Sequence, residues 1–347
     1  MTLIYFILML GIIIFIHELG HFLWAKKFGV YCYEFSLGFG PKIFSFNRKN
    51  DETLYSLRLI PLGGYVAMAG EEVNDDEKVD KKKKLYNKKW YEKLIIVLAG
   101  VLNNFILSFV LLFMIALVCG SFTTKPIVGI VSKDSASYEA GLKKGDLIVK
   151  INGEKTRTWD DVTLKLTLAN GNKTQVLTVK KEDGTFRNVR IKPKKIEDKD
   201  GNVSFAYGFG LSDKKYTGIG NAFSYAISKF GSIFNSMIET IKALFTGKVG
   251  LNSLSGPVGI YSIVGEQSKA GLSSLLYLLA YLSINVGFIN LIPFPAFDGY
   301  RAFTIIIEKI TKKQFNQKID ALINQIGLFL LFGLMIYITI KDVLRLF

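Results

Sequence analysis

The residues best suited to chemistry lie near the N-terminus in the sequence HELGH, where His17 and His21 flank Glu18. On an α-helix, residues four positions apart share a face, so both imidazoles point the same way and can hold one metal ion. An H-E-x-x-H sequence supplies two zinc ligands and a carboxylate that takes a proton from a metal-activated water. We therefore predict that His17 and His21 bind Zn²⁺ and that Glu18 is the catalytic base.

A purely structural role is the alternative, since histidines on helices often serve packing or hydrogen bonding. The sequence contains only these two histidines, however, and both lie in an apolar segment. A charge such as that of Glu18 costs about 2.5–3.5 kcal/mol at the centre of a membrane helix, so an ionisable residue there is a functional hypothesis by default. The context favours a metal site.

A catalytic zinc ion takes three protein ligands and keeps one position open, so a third ligand must come from elsewhere. The candidate is Asp298 in NLIPFPAFDGYRAF. Pro293 and Pro295 interrupt regular helix there and leave polar backbone groups that only a protein-lined cavity tolerates. We predict that Asp298 closes the third membrane span and completes the metal site; capping of a helix end or pairing with Arg301 is the alternative.

Composition predicts the elements that carry these residues. The chain has 347 residues, half of them hydrophobic, and a positive mean hydropathy. This indicates several membrane spans around aqueous parts. A bilayer core needs about 20 mostly apolar residues, which predicts four transmembrane helices. They are residues 1–25, 94–118, 275–298 and 323–345.

The positively charged residues are concentrated in the loops. The net charge of +15 comes from lysines between the apolar segments, including Lys26, Lys27 and the block at 81–84. Such lysines face the cytoplasm and anionic headgroups, which favours a lipid bilayer over nucleic acid as the partner. The positive-inside rule then predicts a plasma-membrane protein whose metal site lies toward the cytoplasm. Cys32 and Cys119 form no CxxC pair, so neither a disulfide framework nor a cysteine metal site is expected.

The remaining segments predict aqueous or interfacial structure. Residues 26–93 contain strand-like, glycine-rich runs and are predicted to form a cytoplasmic β-hairpin followed by a basic loop. Residues 125–195 alternate short β-rich runs with turns, and AGLKKGDLIVKING within them resembles a PDZ domain, expected outside the cell. Apolar residues recur at helical spacing over 215–250. We expect an amphipathic helix there that lies on the outer membrane surface, with packing on the protease as the alternative.

Together these motifs resemble the site-2 protease family of intramembrane zinc metalloproteases, specifically the bacterial branch that cuts membrane-tethered anti-sigma factors. The resemblance covers nearly the whole chain and extends to FSLGFGPKIFSF, PLGGYV and SGPVGI. It implies a polytopic α-helical membrane protein with four transmembrane helices, a membrane-associated β-hairpin region and one extracytoplasmic PDZ-like α+β domain. It also implies His17, His21 and Asp298 as zinc ligands and Glu18 as the base. The implied substrates are single-pass membrane proteins, whether or not another protease has already trimmed them.

The chain departs from the family pattern at three places. Phe297 stands where leucine is common, Tyr300 where a second glycine is common, and Val101 where a Gly-Pro-x-x-Asn element has its proline. Asn104 matches the asparagine of that element, and Asn290 begins the third-span motif. Both asparagines are candidates for hydrogen bonds to an extended substrate backbone, and contacts between helices are an equally good explanation.

Two other functions are alternatives for these motifs. A metal- or proton-coupled membrane transporter also places histidines and carboxylates in its spans. It would be expected to carry more intramembrane charge and repeated halves, which the sequence lacks. A membrane-tethered PDZ adaptor would leave HELGH without a role. We therefore predict a zinc metalloendopeptidase acting in regulated intramembrane proteolysis.

Overall fold

The computed structural model describes residues 1–71, 79–169, 173–197, 203–250 and 254–344. The chain forms two compact units, one of Met1–Leu111 with Asn252–Phe347 and one of Leu112–Leu251. The helices are α1 (Thr2–Lys27), α2 (Trp90–Cys119), α3 (Ala136–Glu139), α4 (Trp159–Leu168), α5 (Ile219–Phe245), α6 (Pro257–Lys269), α7 (Leu272–Leu291), α8 (Asp298–Thr311) and α9 (Gln317–Leu344). The strands are β1 (Cys32–Asn47), β2 (Leu54–Met68), β3 (Ser121–Phe122), β4 (Val128–Val131), β5 (Leu147–Ile151), β6 (Glu154–Lys155), β7 (Gln175–Lys180), β8 (Phe186–Ile191), β9 (Lys194–Glu197), β10 (Val203–Ala206), β11 (Phe209–Leu211) and β12 (Lys215–Tyr216).

Four helices of the described chain are long and apolar enough to cross a membrane, namely α1, α2, α7 and most of α9. The number of predicted spans is therefore confirmed by length and composition. The predicted end of the third span is wrong, because α7 stops at Leu291 and Asp298 begins α8 instead of closing the span. The interruption comes from Pro293 and Pro295, which cannot donate the backbone hydrogen bonds that a continuing helix requires.

Helices α1 and α2 approach closely at Gly20. A Cβ atom at this position would overlap the backbone carbonyl of Ala99, so a larger residue would force the helices apart. Close approach through small residues is a common way to pack helices in membranes, where the lipid is as apolar as the side chains. The contact fixes the polar residues of α1 against the middle of α2.

Strands β1 and β2 form an antiparallel pair, and both strands bend along their length. Residues 34–37 of β1 pair with 54–57 on one side and with 64–67 on the other, and 54–57 also pair with 44–47. The pair therefore has four strand segments, ordered 64–68, 32–37, 54–57 and 44–47. At the bend, Gly38 has a φ of 87° and lies against the carbonyl of Ile60. Within the described chain, 64–68 is an edge segment with one partner.

The predicted basic loop is described in part, since residues 72–78 lie outside the described residues. The part that follows returns along the base of the hairpin. The amide of Tyr31 donates to the carbonyl of Lys83 at 2.9 Å, and that of Leu85 donates to Ala69 at 2.7 Å. These bonds hold the hairpin close to the start of α2.

The second unit is an α+β structure with its own core. An antiparallel sheet has the strand order β6, β5, β7 and β8. On its inner face Ile148, Leu177 and Ile191 are fully buried, in one hydrophobic core with Val162 of α4. Thr158 and Asp161 form a reciprocal capping box at the start of α4. The location of this unit outside the cell, like its PDZ character, stays a prediction.

The predicted amphipathic helix corresponds to α5, and its polar face contacts α4. Lys229 donates to Asp160 at 2.7 Å, and the Ser232 hydroxyl donates to Asp160 at 2.6 Å. Ile219 and Ile227 are exposed. These polar contacts with the rest of the second unit were not predicted, since the two predicted positions of the helix were the membrane surface and the protease. The placement of α5 on a membrane surface stays a prediction.

Candidate active site

His17 and His21 lie in the second half of α1 and turn toward the centre of the first unit. Each is 8% exposed, and their Nε2 atoms lie 3.2 Å apart. The helical repeat explains this geometry, because positions i and i+4 stack on one face. The Nδ1–H of His21 donates to the backbone carbonyl of Ile96 in α2 at 2.9 Å. That bond leaves Nε2 of His21 without a hydrogen and able to bind a metal.

Asp298 reaches the histidines from the first turn of α8. Its Oδ2 lies 3.1 Å from Nε2 of His17 and 3.4 Å from Nε2 of His21. The residue that follows, Gly299, allows this approach, since a Cβ there would overlap the carbonyls at the end of α7. Neither structural alternative applies here. Arg301 forms an ion pair with Glu71, and α8 begins without a side-chain cap.

Contacts to α9 hold the start of α8. The hydroxyl of Tyr300 donates to Asp320 at 2.9 Å. Burial and this carboxylate raise the pKa of Tyr300 to about 12, so the phenol stays a hydrogen-bond donor at physiological pH. The backbone of Ala296, held at a φ of 77°, donates to the side-chain oxygen of Asn324 at 3.0 Å. Tyr300, which departs from the family pattern, thus has a structural contact of its own.

The three ligand atoms fit a zinc ion. Their separations of 3.1, 3.2 and 3.4 Å match the edge of a tetrahedron with zinc at its centre, which is about 3.3 Å for zinc–ligand bonds of about 2.0–2.1 Å. The Oδ2 atom of Asp298 is buried and has no hydrogen-bond partner in the described chain. Two imidazole nitrogens and a carboxylate oxygen this close together form a donor set that can hold one metal ion. The residues present therefore suit Zn²⁺.

Glycines of α2 and β2 make room around this cluster. A Cβ at Gly100 would overlap the imidazoles of both His17 and His21. A Cβ at Gly64 would lie 3.1 Å from Cγ of Glu18, so the half-buried Glu18 packs directly against the edge segment of the hairpin. No role was predicted for Gly100 or Gly64. Both belong to segments noted for their family resemblance, and that was the available signal.

The two asparagines differ in position. Asn104 is fully buried on α2, and its side-chain amide lies 3.3 Å from Nδ1 of His17. Asn290 is half-buried in the last turn of α7 and makes no hydrogen bond to the cluster within the described residues. The structure thus brings together His17, His21 and Asp298, with Asn104 behind His17.

Comparisons with known proteins agree across the chain. The sequence profile described as Peptidase family M50 matches residues 5–334. The regulator of sigma-W protease RasP of Bacillus subtilis is 31% identical over 423 aligned residues, covering 100% of this chain and 99% of that protein. The zinc metalloprotease RasP of Bacillus licheniformis is equally similar, at 31% over 423 residues with the same coverage. A protein of Fusobacterium nucleatum, named as a candidate zinc metalloprotease, is 38% identical over 353 residues and is covered completely in both directions.

The close contact at Gly100 gives a test of the site that removes no polar group. Gly100→Ala places a methyl group against both imidazoles, and such overpacking costs about 1–3 kcal/mol, so the zinc dissociation constant should rise about 5- to 150-fold. Competition with a chromophoric chelator measures it. Gly11→Ala is the matched control, because a methyl group at that position of α1 has no neighbour within 4 Å. Equal zinc affinity of the two variants would contradict the described geometry.

Proposed function

We propose a function from one premise: the chain belongs to peptidase family M50, the site-2 protease family, and is an intramembrane zinc metalloprotease. The proposed function is hydrolysis of peptide bonds within the transmembrane segments of single-pass membrane proteins. The observation that carries it is the triangle of His17, His21 and Asp298, which lies beside Glu18 on a helix apolar enough to span a bilayer. A proteolytic metal site embedded in the membrane can act only if the scissile bond is also brought into the membrane.

The proposed residue roles follow from the geometry. Nε2 of His17, Nε2 of His21 and Oδ2 of Asp298 would hold zinc, which when bound activates a water for attack and polarises the scissile carbonyl. Glu18 takes the proton from the attacking water and delivers it to the leaving amine. Its position next to the ligands on α1 gives its carboxylate access to both groups. Burial in the bundle keeps bulk water from competing with the substrate.

The hairpin supplies the means to present a peptide bond. A transmembrane helix hides its peptide groups in its own hydrogen bonds, so the substrate must unwind, and in a membrane the freed groups need new partners. We place the unwound segment along the edge segment 64–68, where strand addition satisfies the backbone. The contact of Gly64 with Glu18 supports this arrangement, because a chain on that edge would pass beside the base.

Among the asparagines, Asn290 is the better candidate for a substrate contact. It lies at the end of α7 just before the loop that leads to Asp298, and it is half-buried. In this arrangement its amide hydrogen-bonds the extended substrate backbone near the scissile bond. Asn104 is fully buried behind His17, which favours a different role.

The proposed substrates are membrane-tethered anti-sigma factors. One relative is named as the regulator of sigma-W protease, and that name describes the relative alone. For this chain we propose single-pass proteins of the same kind, cut in regulated intramembrane proteolysis. The second unit would lie outside as a PDZ-like domain, where it could bind the end of a substrate that another protease has trimmed or exclude bulky ones.

Lysines that flank the first two membrane helices indicate how the chain crosses the bilayer. Lys26 and Lys27 follow α1 directly, and the lysines at 81–84 precede α2. The positive-inside rule places these residues in the cytoplasm. Since His17 and His21 lie toward the Lys26 end of α1, the metal site would be near the cytoplasmic face of the plasma membrane.

The role of the base gives the principal test of this function. Glu18→Gln retains the size of the side chain but removes its ability to take a proton, so turnover of a membrane-tethered substrate should fall about 10²- to 10⁴-fold while bound zinc is retained. A proteoliposome cleavage assay and elemental analysis measure the two quantities. Glu266→Gln, at an exposed site on α6, is the matched control. Wild-type turnover by a folded Glu18→Gln protein would remove Glu18 as the base.

The position of the cut tests the proposed orientation. Because the ligands lie toward the lysine-rich end of α1, cleavage should fall within the transmembrane segment of the substrate, nearer its cytoplasmic end. Mass spectrometry of the product termini locates the bond. A cut in the external juxtamembrane region would mean that the chain crosses the membrane in the opposite sense.

A further inference from the structure

We infer that Asn104 fixes the tautomer of His17, accepting a hydrogen bond from Nδ1–H through its side-chain oxygen and so leaving Nε2 free for the metal. Asn104 is then a positioning residue of the metal site and not a substrate contact. The inference rests on the proposed function in one respect, that Nε2 of His17 is a zinc ligand.

The buried position of Asn104 makes its hydrogen bonds consequential. The residue is 0% exposed, and in the structure its side-chain nitrogen Nδ2 lies 3.3 Å from Nδ1 of His17. The other terminal atom of the amide, the oxygen Oδ1, is buried and has no hydrogen-bond partner in the described chain. A buried polar atom without a partner is unfavourable, because it loses its hydrogen bonds to water and gains none in return. The hydrogen-bonding needs of His17 are therefore expected to decide whether the oxygen or the nitrogen of the Asn104 amide faces Nδ1.

The chemistry of a zinc-bound imidazole decides that orientation. A neutral imidazole carries one hydrogen, and the nitrogen that binds a metal cannot carry it. With Nε2 of His17 directed at Asp298, the hydrogen belongs on Nδ1, which must then donate. Only the oxygen of the Asn104 amide can accept, and a half-turn about the last side-chain bond exchanges its oxygen and nitrogen in place. After this rotation the amide nitrogen occupies the position that the oxygen has left. At that position the oxygen has no hydrogen-bond donor among the described residues.

The second histidine follows the same rule. Nδ1 of His21 lies 2.9 Å from the backbone carbonyl oxygen of Ile96, which can act only as an acceptor. His21 therefore has its hydrogen on Nδ1 and a free Nε2. With Asn104 as an acceptor, both histidines have the same tautomer, and both acceptors come from α2.

Asn104 is itself held in place. The hydroxyl of Ser283, in α7, donates to the backbone carbonyl of Asn104 at 2.9 Å, and Ser283 is fully buried. The neighbouring Asn103 provides a contrast, because its amide donates to the backbone carbonyl of Ile16 at 3.2 Å instead of facing an imidazole. The two asparagines both join α2 to α1, but Asn104 does so through a proposed ligand.

The first test compares zinc affinities of the full chain purified in detergent. Loss of a partner that orients a metal ligand typically weakens metal binding about 10- to 100-fold, so Asn104→Leu, similar in size without an acceptor, should raise the zinc dissociation constant by that factor. Asn104→Asp can accept but not donate, and it should bind zinc at least as tightly as the wild type. Asn103→Leu, which removes the adjacent contact between the same helices, is the control and should bind zinc as the wild type does.

The outcomes separate the inference from the proposed function. Wild-type zinc affinity in Asn104→Leu would overturn the inference while leaving the zinc site in place. An affinity in Asn104→Asp as weak as in Asn104→Leu would also overturn it, since Asn104 would then act as a donor. Failure of the wild-type protein to bind zinc at all would overturn both.

A second test needs no variant. The chain has two histidines, so ¹⁵N labelling of histidine gives spectra of His17 and His21 alone. In the zinc-loaded protein we expect a bonded hydrogen on Nδ1 and a metal-shifted Nε2 for both residues. A hydrogen on Nε2 of His17 would overturn the inference even if the Asn104 variants did not fold.

Discussion

Two imidazole nitrogens and a carboxylate oxygen lie within 3.4 Å of one another in a largely apolar bundle, and all three are directed at the same position. Electron pairs crowded in this way repel one another, and their separation from water removes the solvation that would offset the repulsion. A divalent cation resolves both problems. The cluster is the constraint on which the surrounding structure depends, because each neighbouring element must bring its ligand within a few tenths of an ångström while leaving the position of the metal open.

The neighbouring elements meet this constraint mainly by omitting side chains. Gly20 lets α1 approach α2, Gly100 leaves space for the imidazoles, and Gly299 allows α8 to begin against the end of α7. Polar contacts away from the cluster then hold these elements, including Tyr300 with Asp320 and Arg301 with Glu71. Because Glu71 follows the last strand segment of the hairpin, the ion pair also joins the edge proposed for substrate to the helix that carries Asp298.

Local sequence predicted the parts of the site that depend on local geometry. The spacing of His17 and His21 was sufficient, since the helical repeat alone brings them to one face. Asp298 was correctly grouped with them, but its predicted place at the end of a span was wrong, because the loop through Pro293 and Ala296 separates it from α7. The role of Asn104 was not evident from its sequence, since the residue behind a ligand is determined by how two helices pack. The glycines were unassigned for the same reason.

Zinc K-edge X-ray absorption on the purified chain tests the central claim, that His17, His21 and Asp298 bind one zinc ion. With two histidines in the chain, the wild-type spectrum should show two imidazoles and oxygen ligands at about 2.0–2.1 Å. Asp298→His should add a third imidazole at the same metal. A thiolate sulfur at about 2.3 Å, or two imidazoles in a fully zinc-loaded Asp298→His protein, would contradict the assigned ligands.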